Sequence, residues 1–271
     1  VKQLGLWTGA LLVGLVAAAA ALSLLWTPHD PSAIEVSRRF LPPSGEHWLG
    51  TDQLGRDLLS MLMAGARSSV LVALLSVGLG GSAGALLGLL ASARGGLAEE
   101  AVMRTADLAF AFPALLFAIM LAAVYGPSLT NAVLAIAFIN VPIFARITRA
   151  AANQVWASDY VLAARATGLT TFRITLRHVV PNVAAILLVQ ATIEFAIAIL
   201  AEAALSYLGL GVQPPIPSWG RMLAEAQTLI YLAPHLAIWP GLCIVAAVLG
   251  FNLLGDGLRD ATDPRLRRAG R

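Results

Sequence analysis

The chain has 271 residues, of which 58% are hydrophobic and only 12% charged. Soluble domains carry about a quarter charged residues, and here the apolar residues come in unbroken blocks close to the roughly 20 residues that cross a bilayer core about 30 Å thick. A net charge of +3 gives no ground for nucleic acid binding, because its placement follows membrane topology as set out below. The single cysteine, Cys243, excludes an internal disulfide and sits in an apolar block as a small hydrophobe.

Six apolar blocks read as spans, at residues 4–26, 68–93, 105–124, 132–145, 182–205 and 236–254, so the expected fold is all-α and polytopic. The first follows Lys2 and is longer than the 7–15 apolar residues of a cleaved leader. It runs into Thr27-Pro28-His29-Asp30-Pro31 instead of a small-residue cleavage site, and it reads as a retained helix. Residues 28–67 form the first long polar connection. In the second span Gly80, Gly84 and Gly88 repeat every four residues and share one face. Small residues there allow close backbone approach, either within the chain or toward another subunit. Asp107, near the start of the third span, reads as an interfacial cap. Pro113, Pro142 and Pro240 interrupt apolar blocks, which is tolerated where neighbours or a watery cavity satisfy the freed carbonyls. The fourth span is short and is expected to continue toward Ala152 by tilting or by snorkelling of Arg146 and Arg149.

Residues 151–181 are the most informative connection. Ser158 is placed to cap a short helix with Asp159 in its first turn. The helix spans 160–167 and ends at Gly168; Thr170 or Thr171 starts a second one that runs to Val180 and stops at Pro181. On these residues alone, an amphipathic hairpin lying at the membrane surface is an equal reading. The fifth span carries two acids, Glu194 and Glu202, eight residues apart and so about 2.2 turns along nearly one face. Carboxylates at membrane depth are costly and must face protein or water. They line a pathway, make helix–helix hydrogen bonds, or, for Glu202, sit near the outer interface. Residues 207–235 follow, with Pro214-Pro215-Ile216-Pro217.

Basic residues favour the cytoplasmic side. With the N-terminus inside, only Arg38, Arg39, Arg56, Arg67 and Arg221 fall outside. The rest of the eighteen basic residues lie inside, ending in Arg259, Arg265, Arg267, Arg268 and Arg271. Both termini are therefore expected in the cytoplasm.

Enzyme chemistry finds no carrier. A phosphate-binding loop needs a lysine, and the only lysine is Lys2. The four histidines, His29, His47, His178 and His235, show no His-Glu-x-x-His or other zinc-type spacing, and no Gly-x-Ser-x-Gly elbow occurs.

Leu162-Ala163-Ala164, Gly168 and Pro181 resemble the Glu-Ala-Ala loop of permease subunits of ATP-binding-cassette importers, with Leu162, His178 and Val180 departing from its pattern. The run from Tyr160 to Asn182 is similar to the dipeptide, oligopeptide and nickel branch. So are Leu49-Gly50-Thr51-Asp52-Gln53-Leu54-Gly55-Arg56-Asp57, the stretch from Ala204 to Gly211 with Gln213-Pro214-Pro215, Ser218-Trp219-Gly220, and the stretch from Phe251 to Asp260 with Asp263-Pro264.

The resemblance covers nearly the whole chain. It implies the C-type permease of that branch, with a type I importer fold, in a bacterial inner membrane. Residues 1–67 would be a first helix and outer segment. Residues 68–271 would be a five-helix core with the coupling loop at 151–181. The implied partners are a homologous second permease, two ATP-binding subunits that hold the ATP and magnesium, and an extracytoplasmic solute-binding protein. No cofactor is expected in this chain. Tyr160, Ala163, Ala164, Arg165, Gly168, Arg173 and Pro181 would meet the ATPase, and Glu194 and Glu202 are pathway candidates. The competing readings are an ion-coupled carrier or channel using the two glutamates, although no inverted repeat of that kind is seen, and a membrane scaffold. The cargo, whether dipeptide, oligopeptide or nickel chelate, is not written in these residues.

Overall fold

The computed structural model describes residues 2–262. Arg265, Arg267, Arg268, Arg271 and the Asp263-Pro264 pair lie outside the described residues. Among the described residues the chain is helical, apart from turns and one isolated bridge between Thr51 and Asp57. The helices are α1 (Lys2–Leu22), α2 (Leu58–Arg94), α3 (Gly96–Ala111), α4 (Ala114–Tyr125), α5 (Leu129–Trp156), α6 (Asp159–Ala166), α7 (Thr171–Ile174), α8 (Val180–Tyr207), α9 (Trp219–Ala226) and α10 (His235–Thr262). Five spans are long and apolar enough to cross a membrane, and a sixth arises if α3 and α4 count together.

The third span differs most from expectation. It is a broken pair bent by 79°. The ring of Pro113 disfavours helical backbone at the preceding residue, and Phe112 is extended at φ −90°, ψ 121°. Of the 105–124 block, only α4 is a continuous apolar helix, about 18 Å long by its 12 residues. Asp107 is no interfacial cap. It lies within α3 and accepts from Arg146 of α5, as Glu99 does from Arg149, so α3 is tied to α5.

The second span begins at Leu58, capped by Asp57, whose carboxylate accepts from the Ser60 N–H at 2.8 Å. The boundary expected at residue 67 therefore falls inside α2. Its first turns mix serines with apolar residues and are buried nearly all round, Leu58 at 1% and Ala66 at 1% exposure. Helix α2 pairs most extensively with α5. A methyl group added at Gly80, Gly84 or Gly88 would collide with the backbone oxygens of Ala137, Val141 and Ala145 respectively. The glycine stripe is thus an in-chain helix contact. Helix α1 packs along α10, Gly9 against Leu254 and Gly257 against Leu6. The other face of α1, with Leu4, Trp7, Leu11 and Leu15, is exposed.

Helix α8 touches α2, α5, α9 and α10 and holds the middle of the molecule. On the expected outer side, Trp219 of α9 is buried and donates from Nε1 to the Leu62 carbonyl at 3.0 Å. Arg56 pairs with Asp52 at 2.6 Å and Glu225 at 2.5 Å, which ties the segment after α1 to α9.

Candidate functional site

The connection between α5 and α8 folds into the helical hairpin that its sequence suggests. Asp159 lies in the first turn of α6, where the exposed N–H groups favour an anion. Ser158 makes no cap: its hydroxyl donates to the Val155 carbonyl at 2.6 Å. Gly168 ends the turn with φ +83°, the left-handed region where a Cβ is strained. Its N–H and that of Leu169 return to the carbonyls of Arg165 (3.0 Å) and Ala164 (3.2 Å), closing the helix end. The Thr170 hydroxyl then accepts from the Arg173 N–H at 3.4 Å and starts α7.

Pro181 does not stop the second helix. The helix continues from Thr171 to Tyr207, 37 residues, across a π turn at Thr175–Val179. In that turn the Val180 N–H reaches back to the Thr175 carbonyl. Pro181 has no N–H to give to the turn behind it, and one residue on Asn182 Nδ2 donates to the His178 carbonyl at 2.6 Å. A wider turn beside a proline is a common way for a helix to absorb the missing donor.

One side of the hairpin is a packed seam. Val161, Ile174, Val179 and Val183 are buried with Ala151, Ala152 and Trp156. Ala164 is partly buried on this seam, so its methyl faces the chain's own core. Arg165 stacks on Trp156 at 4.8 Å from the ring centroid. Tyr160 stays half exposed, with its ring 5.9 Å from that of His178 and its hydroxyl accepting from Asn182 at 3.4 Å. Ala163, Gly168, Arg173 and Pro181 are exposed. Beside them Leu162, Phe172 and Leu176 are more than half exposed or nearly so, at 50%, 71% and 53%. Phe172 and Leu176 escaped the sequence reading, and Leu162 entered it only as a departure from the motif. Their signal was the alternation of a buried and an open face along 160–176, which a motif comparison does not weigh.

The two glutamates have different surroundings. Glu194 is buried and accepts from Gln190 Nε2 at 2.7 Å, one turn earlier on the same helix. Glu202 is fully buried. It accepts from Ser69 of α2 and from Ser206, each at 2.7 Å. It joins α2 to α8 and faces no open surface of the chain. Of the alternatives the sequence left open, the geometry of Glu202 is that of a helix–helix hydrogen bond.

Residues 84–268 match the family described as binding-protein-dependent transport system inner membrane component. The chain is 48% identical over 270 residues to the di/tripeptide transport system permease protein DppC of Pseudomonas aeruginosa (strain UCBPP-PA14), covering 96% of this chain and 88% of that one. It is 42% identical over 248 residues to the dipeptide transport system permease protein DppC of Alkalihalophilus pseudofirmus, with 92% and 82% covered. It is 44% identical over 225 residues to the glutathione transport system permease protein GsiD of Pectobacterium atrosepticum, with 83% and 75% covered. A solved structure of the MetNI methionine ABC transporter in an inward-facing conformation superposes with TM-score 0.62 at 19% identity, over 75% of this chain and 97% of that one. That likeness is one of fold. None of the relatives named here is an ion-coupled carrier.

Proposed function

The chain belongs to the binding-protein-dependent transport system inner membrane component family, as a multi-pass permease of the ATP-binding-cassette importers, and from this we propose that it builds half of the pathway for short peptides or a related small solute. The relatives named for dipeptides, di/tripeptides and glutathione support that cargo class. A homologous second permease supplies the other half, an external binding protein delivers the solute, and two cytoplasmic subunits hold ATP and magnesium. Both termini lie in the cytoplasm, with residues 28–57, ahead of α2, outside. The layout is a first helix and outer segment joined to a five-helix core.

The observation that carries the reading is the two-sided hairpin. Its seam locks α6 and α7 to the inner ends of α5 and α8. Its other side offers Leu162, Ala163 and Phe172 together with Arg173. A partner gripping that face moves α8 as one piece, because the helix is continuous to Tyr207. ATP drives transport by binding the two states of the assembly with different affinity, and the hairpin carries that difference into the membrane.

The test is ATP hydrolysis and uptake by the reconstituted complex, with and without loaded binding protein. Ala163→Asp puts a charge on the open face, and Gly168→Val strains the turn by about 1 kcal/mol or more. Each is expected to cut stimulated hydrolysis and uptake at least about tenfold, an effect of roughly 1.4 kcal/mol, while insertion and pairing persist. Full stimulation and uptake in both variants would show that the hairpin does not couple the two machines.

A further inference from the structure

We propose that His29, His47 and Asp57 form a site for one borderline divalent cation of the Zn²⁺ type, in the connection between α1 and α2. The sequence reading placed no metal in this chain, because positions 29, 47 and 57 make no compact motif. The fold brings them together when the connection turns back onto the start of α2. One ligand atom from each lies within 4.8 Å of the others.

The spacing fits the ion. Zinc–nitrogen and zinc–oxygen bonds of about 2.0–2.2 Å in tetrahedral geometry hold neighbouring ligand atoms roughly 3.3–3.6 Å apart. His47 Nδ1 stands 2.9 Å and His29 Nδ1 3.6 Å from the same oxygen, Asp57 Oδ1. The longer separation is beyond a hydrogen bond, and His29 Nδ1 is buried without a partner. His47 Nε2 is also buried and unpartnered in a residue only 3% exposed. Hydrogen bonds within the described residues thus account fully for neither ring. The two imidazoles are held 4.5 Å apart between centroids.

The surroundings fix the ligands as metal sites require. Asp57 Oδ2 is occupied by the Ser60 N–H at 2.8 Å and the Ser60 hydroxyl at 2.7 Å, which turns Oδ1 toward the histidines. The Ser60 oxygen also accepts from the His29 N–H at 2.9 Å, and Thr27 donates to the His29 carbonyl at 2.7 Å. Two imidazoles and one carboxylate are a poor set for Ca²⁺ or Mg²⁺, which take oxygen ligands, and for Cu⁺, which prefers sulfur. They suit Zn²⁺ and its neighbours. His29 is the one ligand with substantial side-chain exposure, 34%, so a water completes the shell from that side. Ligation through Nδ1 uses the neutral imidazole tautomer that carries its proton on Nε2. The ion would join the end of the α1 connection to the first turn of α2, far in sequence from the coupling hairpin, and its presence does not depend on the cargo.

The test uses the full-length protein in detergent, without a histidine tag and stripped by a chelator. Zn²⁺ is titrated in competition with a fluorescent zinc indicator, and Co²⁺ is followed by visible absorbance. One equivalent of Zn²⁺ is expected, with Co²⁺ bands of four- or five-coordinate geometry. His29→Ala, which removes the partly exposed ligand, should weaken Zn²⁺ more than about a hundredfold and abolish the bands. Ser60→Ala, acting through Asp57, should weaken it about 10–100-fold. His178→Ala, in the hairpin, should bind as the parent does. Absence of stoichiometric Zn²⁺, or unchanged affinity in a His29→Ala protein that melts like the parent, would reduce the cluster to a His47–Asp57 hydrogen bond and overturn the proposal.

Discussion

At Glu202 the cost of placing an acid among apolar helices is offset by serine hydroxyls that reach it from α2 and from its own helix. Removing the acceptor leaves those hydroxyls buried together, and an unsatisfied buried donor costs about 1–3 kcal/mol. Glu202→Ala is therefore expected to lower the thermal unfolding temperature of the purified protein measurably. Glu202→Gln, which keeps an acceptor oxygen, should lose much less. Equal melting of the alanine variant and the parent would show that the cluster adds no stability. The acid itself was legible in the sequence, as was the face it shares with Glu194. Its environment was not, because Ser69 lies 133 residues away and meets it only through packing of α2 on α8. The same holds for His29, His47 and Asp57, which meet through a folded connection with no repeating pattern to reveal it.

Among the elements, the α2–α5 contact is the most exacting. Leucine at Gly84 has to displace the Val141 carbonyl and the Phe144 side chain, whereas Gly78 has nothing within 4 Å of an added Cβ. Gly84→Leu should abolish stable folded protein in detergent, an overpacking cost of about 1–3 kcal/mol or more. Gly78→Leu should purify and melt as the parent does. The contact would be misassigned if the two variants behaved alike. The stripe was visible in the sequence because a period of four leaves one face of a helix bare. At Phe112-Pro113 the break was visible as Pro113, but the 79° bend was not, since apolar residues run on both sides of it. The start of α2 was hidden for the opposite reason: Ser60 and Arg67 look like a loop, but Ser60 is fully buried among apolar residues that face protein. Pro181 misled because a proline usually ends a helix, and the π turn that accommodates it has no residue signature.

For the whole molecule, orientation is the claim most open to direct test. The proposed topology puts Glu46 outside and Thr167, exposed on the hairpin, inside. In otherwise cysteine-free protein in intact cells, a membrane-impermeant thiol reagent should label Glu46→Cys and leave Thr167→Cys untouched until the membrane is opened. The reverse pattern would invert the chain. Arg267, a natural inside probe by charge, lies outside the described residues. At this scale the all-helical, multi-span architecture could be read beforehand, because span number depends on composition, which packing does not alter. Helix breaks and lengths could not, because they depend on which backbone groups the neighbours satisfy.

The glycine stripe has a consequence for how the molecule moves. Its notches recur every four residues, about 6 Å along the helix axis, and each receives one carbonyl of α5. A slide of an ångström or two drives those oxygens out of their notches and into the bulkier residues between them. The next matching register lies a whole notch away, too far for a close-packed pair to visit without separating. Helices α2 and α5 are thus meshed like two racks and travel as a single plank. In the proposed transport cycle, displacement falls instead at the edges of this plank, against whatever chain lies alongside.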